Sequence, residues 1–150
     1  MRVSAKVDYA IRAMVELAAT PEGGPRKAEQ IATAQQIPIK FLENIMLDLR
    51  HGGLVRSQRG VDGGYWLARP AAEITLAAVI RAVEGSLADV RGVRAETLDF
   101  AGTAQPLRDV WVAVRAGLRS VLDTVTIADV AAGDLPPVVR ELTDDPTAWS

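Results

Sequence analysis

Fixed positive charge and glycine are concentrated in one segment of the chain, between Arg56 and Arg69. The arginines are Arg56, Arg59 and Arg69, and the glycines are Gly60, Gly63 and Gly64. Arginine stays charged at physiological pH, binds phosphate oxygens through paired N–H donors and enters narrow minor grooves of DNA. Glycine permits the positive φ angles that a tight reversal needs. These residue types therefore predict electrostatic binding to a nucleic-acid backbone.

The elements around this segment are typical of a winged helix-turn-helix. Extended, partly apolar runs at 54–57 and 65–68 flank the loop and predict a β-hairpin. Before it, we expect helices over about 4–19, 27–35 and 39–51, from their apolar periodicity and from Ser4 and Pro38 at helix starts. The inward stripe predicted for the third helix is Phe41, Leu42, Ile45, Met46 and Leu49. Two short helices followed by a hairpin give the order of elements in that motif.

The polar face of the third helix predicts contacts with bases, because the second helix of a helix-turn-helix lies in the major groove. On this interpretation Asn44 pairs with adenine, Glu43 accepts from cytosine N4 and Lys40 holds a phosphate. The candidate DNA-binding residues are Ser4, Pro38, Lys40, Phe41, Glu43, Asn44, Arg50, Arg56, Arg59 and Gly60. For any single helix residue the alternative is a merely solvated side chain, and Glu43 also repels phosphates.

The charge of the chain is unevenly distributed. Residues 1–69 contain ten Lys and Arg against seven Asp and Glu, residues 70–150 contain seven against twelve, and the whole chain carries −2. This asymmetry indicates one module that touches DNA and another that does not, with random scatter of charges as the alternative.

The composition excludes several classes of site. The chain has no cysteine and a single histidine, His51, which excludes disulfides, thiolate zinc sites, cysteine-bound iron–sulfur clusters and cysteine nucleophiles. The carboxylates Asp8, Glu16 and Glu43 have no partner base at catalytic spacing, so we do not expect an enzyme. No apolar run approaches the roughly 20 residues that cross a bilayer, and the N-terminus is unlike a signal peptide, so we expect a cytoplasmic protein.

The second half of the chain predicts a dimerisation arm. We expect a fourth helix over about 75–84, an irregular connector at 86–106 and a short helix capped by Thr126. Between connector and short helix, apolar residues recur at heptad spacing: Leu107, Trp111, Val114, Leu118, Val121 and Val125. A helix of about 19 residues spans roughly 28 Å, more than the small head needs. This face therefore predicts a homodimer, with packing on its own chain as the alternative.

The predicted fold is mainly α with a small β-hairpin wing, a winged helix-turn-helix followed by a long dimerisation helix. The expected regions are a DNA-binding domain at 1–70, a connecting helix and sensor-type loop at 71–106, a dimerisation helix and short return helix at 107–133, and a loosely held tail at 134–150.

Five segments carry a family resemblance. They are 1–12, the helix-turn-helix ending Leu54-Val55, the wing S-Q-R-G-V-D-G-G-Y-W-L-A at 57–68, 74–85, and T-I-A-D-V at 126–130. Together they resemble the Rrf2 family of bacterial transcription regulators. The resemblance implies a homodimer with two winged heads and crossed long helices, bound to a pseudo-palindromic operator in double-stranded DNA. It also implies that Arg59 enters the minor groove and that the start of the third helix lies in the major groove.

The chain departs from this family in the sensor loop. Many Rrf2 proteins carry three cysteines in the loop that matches 86–106, and these bind an iron–sulfur cluster that controls DNA binding, but this loop has none. Asp8 matches an acidic residue that completes the cluster in some relatives, although one carboxylate without thiolates is not a cluster site. We therefore expect no cofactor.

The signal that controls such a cluster-free regulator is then a small molecule, a partner protein or nothing. Candidates for a ligand pocket are Asp8, Tyr9, Trp66 and Arg69, because aromatic rings beside a guanidinium hold a flat or anionic ligand, with core packing as the alternative. The sequence thus predicts a dimeric, sequence-specific DNA-binding regulator, a repressor. The alternative is a winged-helix module that binds protein, suggested by the acidic net charge and by Glu43.

Overall fold

The computed structural model describes residues 2–20 and 24–150. Its helices are α1 Ala5–Ala19, α2 Ala28–Gln35, α3 Ile39–His51, α4 Leu76–Glu84, α5 Leu107–Leu122, α6 Ile127–Ala132 and α7 Pro137–Thr143, and its strands are β1 Val55–Gln58 and β2 Gly64–Leu67. This confirms the predicted fold class, and α1 to α4 and both strands agree with the predicted bounds to within one residue. No helix in these ranges has the length and hydrophobicity of a membrane span.

Helix α1 is the centre of the head. The hydroxyl of Ser4 caps it by accepting a hydrogen bond from the Val7 N–H at 3.1 Å, which satisfies one of the free donors at the helix start. Its buried stripe comprises Val7, Ala10, Ala13, Met14 and Leu17. Helices α2, α3, α4 and α6 and strand β2 all pack against α1. The position of α1 therefore determines where the helix-turn-helix and the wing lie relative to each other.

The turn between α2 and α3 is built on Gln36 and Ile37. Gln36 adopts the left-handed conformation at φ 54° and donates its N–H to the carbonyl of Ala32, which ends α2. Ile37 donates to the same carbonyl at 2.9 Å and buries its side chain in the core. Pro38 then precedes the first turn of α3, where a proline costs no helical hydrogen bond. The buried Ile37 anchors the turn, so α3 leaves it in a fixed direction.

The wing requires two glycines. Strands β1 and β2 are antiparallel, in the register that pairs Gln58 with Gly64. A Cβ on Gly63 would lie 2.1 Å from the Gln58 carbonyl oxygen, and one on Gly64 would lie 2.6 Å from the Arg26 carbonyl oxygen. Arg26 exchanges two backbone hydrogen bonds of 2.8 Å with Tyr65. The segment before α2 thus pairs with the outer edge of β2, at a distance that only glycine allows.

The chain returns to the head directly after α5. Leu76 donates its N–H to the Val125 carbonyl at 3.0 Å, and Ile127 donates to the Ile74 carbonyl at 2.9 Å. This extended pairing ends α5 at Leu122, earlier than the heptad spacing predicts. Val125 is 3% exposed. It belongs to the core of its own chain and not to the predicted dimer interface.

The connector is irregular, as predicted, with short 3-10 turns at Ala95–Thr97 and Gly102–Ala104. The residues beyond Gly133, where the sequence predicts a loosely held tail, form α7 and a 3-10 turn at Pro146–Trp149. Helix α7 packs against α5. Pro137 occupies the first turn of α7, a position where proline is compatible with a helix.

Candidate nucleic-acid interface

The outward face of α3 is mainly polar, with one exposed apolar residue, Leu47, which is 43% exposed. Lys40, Glu43, Asn44 and Arg50 are exposed, whereas Leu42, Ile45, Met46 and Leu49 fill the core. Within the described residues, Lys40, Glu43 and Asn44 form no ion pair or side-chain hydrogen bond. They can therefore turn toward a groove of DNA without breaking contacts inside the protein.

Phe41 lies at the edge of the core and not in the buried stripe that the sequence predicts. Its side chain is 38% exposed. Its ring meets that of Tyr9 edge-on, with centroids 5.5 Å apart and planes at 84°, the favoured geometry for an aromatic pair. One side of Phe41 thus holds α3 against α1, and the other side is available beside Lys40 for apolar contact with a base or sugar.

Arg12 joins α1 to the helix-turn-helix. Its Nη1 donates to the Gln35 carbonyl at 2.6 Å, its Nη2 lies 2.8 Å from a carboxylate oxygen of Asp8, and its guanidinium lies 4.8 Å from the centre of the Tyr9 ring. It thereby places a cation at the C-terminal end of α2, the favourable end for positive charge. Sequence reasoning missed this residue. The four-residue spacing between Asp8 and Arg12 was the available signal.

Arg59 and Gly60 form the exposed tip of the wing. Gly60 has a φ of 105°, and its carbonyl accepts hydrogen bonds from the Gly63 N–H at 3.0 Å and from Lys27 Nζ at 3.4 Å. Lys27 lies at the start of α2, so two basic residues, Lys27 and Arg59, flank the tip of the loop. This arrangement presents positive charge at the point of the wing that extends farthest from β1 and β2.

Arg50 connects α3, which the sequence predicts to read bases and which we call the reading helix, to the wing. Its Nη1 donates to Ser57 Oγ at 3.2 Å, which links the last turn of α3 to β1. The neighbouring Arg56 is exposed and pairs across the hairpin with Trp66. Because successive side chains of a strand point to opposite faces, Arg50 lies on the Ser57 face of β1 and Arg56 extends from the other face.

Ser4 lies where α1 meets α4. Besides capping α1, its hydroxyl donates to the carboxylate of Glu84 at the end of α4. Lys6, one half-turn further, forms an ion pair of 2.7 Å with Asp48 on α3. These contacts give Ser4 and Lys6 positioning roles in the head. The sequence predicted the cap by Ser4, but not its contact with Glu84 or the ion pair of Lys6.

The sequence of this chain is similar to those of known transcriptional regulators. A family model described as Rrf2, an iron-dependent transcriptional regulator, matches residues 3–133. The chain belongs to the Rrf2 family. It is 50% identical over 145 residues to Rv1287 of Mycobacterium tuberculosis H37Rv, named as an HTH-type transcriptional regulator, covering 97% of this chain and 90% of that protein. It is 34% identical over 132 residues to the regulator CymR of Bacillus subtilis, covering 88% and 91%.

Solved structures show the same fold. CymR, described as the global cysteine regulator of B. subtilis, superposes with a TM-score of 0.74 at 32% identity over 88% of this chain and 97% of its own. T. potens IscR superposes with a TM-score of 0.72 at 35% identity over 89% and 88%. This Rrf2 protein is therefore a transcriptional regulator with a winged-helix DNA-binding fold, and its family is one of DNA-binding regulators and not of enzymes.

The family is described as iron-dependent, but the side chains of this Rrf2 protein do not supply the ligands that an iron–sulfur cluster needs. The chain has no cysteine to supply thiolates. Within residues 2–20 and 24–150 there is no group of three or more His, Cys, Asp and Glu side chains arranged to hold a metal ion. Asp8, the acidic residue in the first turn of α1, is paired with Arg12. The contacts around Asp8 therefore stabilise the head.

The four residues of the predicted ligand pocket lie in two places. Trp66 and Arg69 line one pocket of about 440 Å³ between the end of α1, β2 and the segment after it, and its walls include Leu17, Ala18, Thr20, Pro70 and Ala71. Asp8 and Tyr9 contact Arg12 instead. The structure thus brings Trp66 and Arg69 together and separates them from the other two.

Proposed function

We propose that this Rrf2 protein is a homodimeric, sequence-specific repressor that binds a pseudo-palindromic operator in double-stranded DNA without an iron–sulfur cluster. The observation that carries the proposal is the exposed polar face of α3 beside an arginine-bearing wing, the two joined by the hydrogen bond between Arg50 and Ser57. A helix of this kind fits the major groove, and a basic hairpin beside it reaches the adjacent minor groove. Repression requires only that the bound dimer occupy its operator.

Each element has its own role in the proposed complex. Asn44 forms paired hydrogen bonds with adenine, and Lys40 binds a phosphate. Glu43 accepts from cytosine N4 and disfavours sites that lack this donor, because its carboxylate then faces phosphates without compensation. Arg59 enters the minor groove and Arg56 contacts the backbone. Four further residues support these contacts. Pro38 and Phe41 lie at the start of α3, Arg50 lies at its end, and Gly60 lies at the tip of the wing.

Helix α5 supports the homodimer. None of its residues is buried in the single chain. Leu107 and the adjoining Val110 are 39% and 50% exposed, and Trp111, Val114, Leu118 and Val121 are half-buried. An apolar seam of this length on a long helix is rarely left in water, and heptad spacing suits packing on a second copy. The proposed interface comprises Leu107, Trp111, Val114, Leu118 and Val121. Two heads related by this interface would read two half-sites.

We assign the control of this repressor to a small molecule in the pocket lined by Trp66 and Arg69. An aromatic ring beside a guanidinium suits a flat or anionic ligand. Because the pocket joins β2 to the end of α1, a ligand that prefers one wing position over another changes operator affinity. The proposed site of action is the cytoplasm, where operator DNA is accessible.

Selection of bound genomic fragments by the purified, metal-free protein, followed by sequencing, tests the proposal. We expect a palindrome whose half-sites are about one helical turn apart. Arg59→Ala should weaken operator binding about tenfold or more and reduce the salt dependence by about one counterion. Arg108→Ala is the matched control, because Arg108 is an exposed arginine on α5, away from the wing.

Two results would contradict operator recognition: recovery of random fragments only, or unchanged affinity in a folded Arg59→Ala variant. Both would favour a winged-helix module that binds protein. The carboxylate of Glu43 on the exposed face of α3 and the net charge of −2 are the features that such a module would use.

A further inference from the structure

A second pocket lies between α4, the connector and α5, on residues that the proposed DNA interface does not use. Its volume is about 390 Å³, within the usual range of roughly 300–1,000 Å³ for small-molecule sites. Four arginines line it, together with Ser86 and Asp89: they are Arg81, Arg94, Arg115 and Arg119. Because these residues come from three segments of the chain, the pocket exists only in the folded protein.

Asp123 holds the first pair of arginines. It accepts hydrogen bonds from the two Nη atoms of Arg81 at 3.0 and 3.4 Å, and from Nε of Arg119 at 2.8 Å. These bonds, Arg81 first and Arg119 second, lower the pKa of Asp123. The carboxylate is therefore ionised at neutral pH and keeps both guanidinium groups in place.

Glu96 holds the second pair. It forms an ion pair of 2.7 Å with Arg94 and a further ion pair with Arg115. A hydrogen bond from its own backbone, followed by the charges of Arg115 and Arg94, lowers the pKa of Glu96. Arg115 is the most enclosed of the four arginines, with a side chain 22% exposed.

The arginines are held in place but not neutralised. Their four positive charges face the carboxylates of Asp89, Glu96 and Asp123, so one positive charge remains uncompensated. In the described part of the chain, Arg119 donates only through Nε and Arg115 only through Nη1. The remaining N–H groups of these two side chains are donors of the kind that binds carboxylate and phosphate oxygens in pairs.

We infer that this pocket binds a small, compact anion that carries phosphate or carboxylate groups. Because Asp123 and Glu96 fix the arginines before the anion arrives, binding orders few side chains and loses little conformational entropy. The inference concerns binding alone, so it does not depend on whether the chain recognises an operator or on the Trp66 pocket.

Isothermal titration calorimetry of the full chain tests it, with inorganic phosphate and citrate as separate probes and chloride used to keep the ionic strength constant. We expect saturable binding of at least one probe with a Kd of about 1 mM or lower. Arg94→Gln and Arg119→Gln should each weaken it at least tenfold, by about 1.4 kcal/mol or more. Both variants should fold, because Glu96 keeps Arg115 and Asp123 keeps Arg81, and circular dichroism checks this.

Arg108→Gln is the matched control, since Arg108 is 55% exposed on the same helix and does not line the pocket. Its anion affinity should equal that of the wild type. The inference is overturned if neither probe binds saturably up to about 10 mM, tenfold above the expected Kd. It is also overturned if Arg108→Gln weakens binding as much as the pocket variants do, which would indicate attraction by general charge. Binding of only one probe supports the inference and identifies the anionic group that the pocket takes.

Discussion

Replacement of Arg12 by alanine measures how firmly α1 holds the helix-turn-helix. The hydrogen bond to the Gln35 carbonyl is short, at 2.6 Å, and a bond from a charged donor contributes about 1.5–3 kcal/mol. The guanidinium over the Tyr9 ring at 4.8 Å adds about 0.5–1 kcal/mol at a partly exposed site. The ion pair with Asp8 adds at most about 0.5 kcal/mol, because the Asp8 side chain is 55% exposed.

One term acts in the opposite direction. Within the described residues, Arg12 Nε is buried and has no hydrogen-bond partner. A buried donor without a partner costs about 1–3 kcal/mol, and Arg12→Ala removes that cost together with the favourable contacts. The favourable terms sum to about 2–4.5 kcal/mol, and the midpoints of the favourable and unfavourable ranges leave an expected net loss of about 1 kcal/mol in the free energy of unfolding.

Urea unfolding of Arg12→Ala beside the wild type provides the measurement, with Arg108→Ala as the control for loss of an exposed arginine. The midpoint should fall at an unchanged slope, which indicates a change of stability and not of the unfolded state. A loss below about 0.5 kcal/mol, the usual range for a surface substitution, would refute the reasoning, because α1 would then hold the Gln35 turn without this side chain.

Three further predictions concern the wing, the reading helix and the dimer. Gly64→Ala should lower the free energy of unfolding by about 1–3 kcal/mol and reduce DNA affinity, because its Cβ would lie 2.6 Å from the Arg26 carbonyl at a φ of 148°. Wild-type stability in urea would show that the segment before α2 can move away. Glu43→Ala should bind random DNA more tightly and lower the ratio of operator to random affinity, since a carboxylate facing phosphates is lost. Weaker binding to random DNA in competition gel shifts would contradict this role. Leu107→Asp, at a residue of the proposed interface that is 39% exposed in the single chain, should convert dimer to monomer in sedimentation velocity while circular dichroism stays unchanged. A dimer that persists would place the interface elsewhere.

The sequence predicts the head of the molecule well because its helix ends carry local signals. Ser4 caps α1 as its residue type indicates, and Gly52 and Gly53 follow α3 where the apolar stripe ends. Phe41 is the exception in this region. Periodicity assigns it to the buried stripe, but its ring meets Tyr9 at the edge of the core, a distinction that depends on the distance between two helices.

The second half is predicted less well because its ends depend on tertiary contacts. The heptad spacing continues to Val125, yet the backbone leaves the helix at Leu122 to pair with the segment before α4. The helix α7 within the predicted tail at 134–150 was not anticipated, although Pro137 suits a helix start. The arginine pocket gave no sequence signal, since Arg81 and its partner Asp123 are 42 positions apart.

Helix α4 contacts both the arginine pocket and the end of α3. Two consecutive residues of α4 make these contacts. Arg81 lines the pocket, and the next residue, Ala82, packs against Gly52 at the end of α3, so closely that a Cβ on Gly52 would lie 2.9 Å from the Ala82 Cβ. A shift of α4 toward α3 would therefore press directly on the end of α3 at Gly52. An anion that binds the pocket more tightly in one position of α4 than in another would change operator affinity, and by linkage operator DNA would change the affinity for the anion by the same factor.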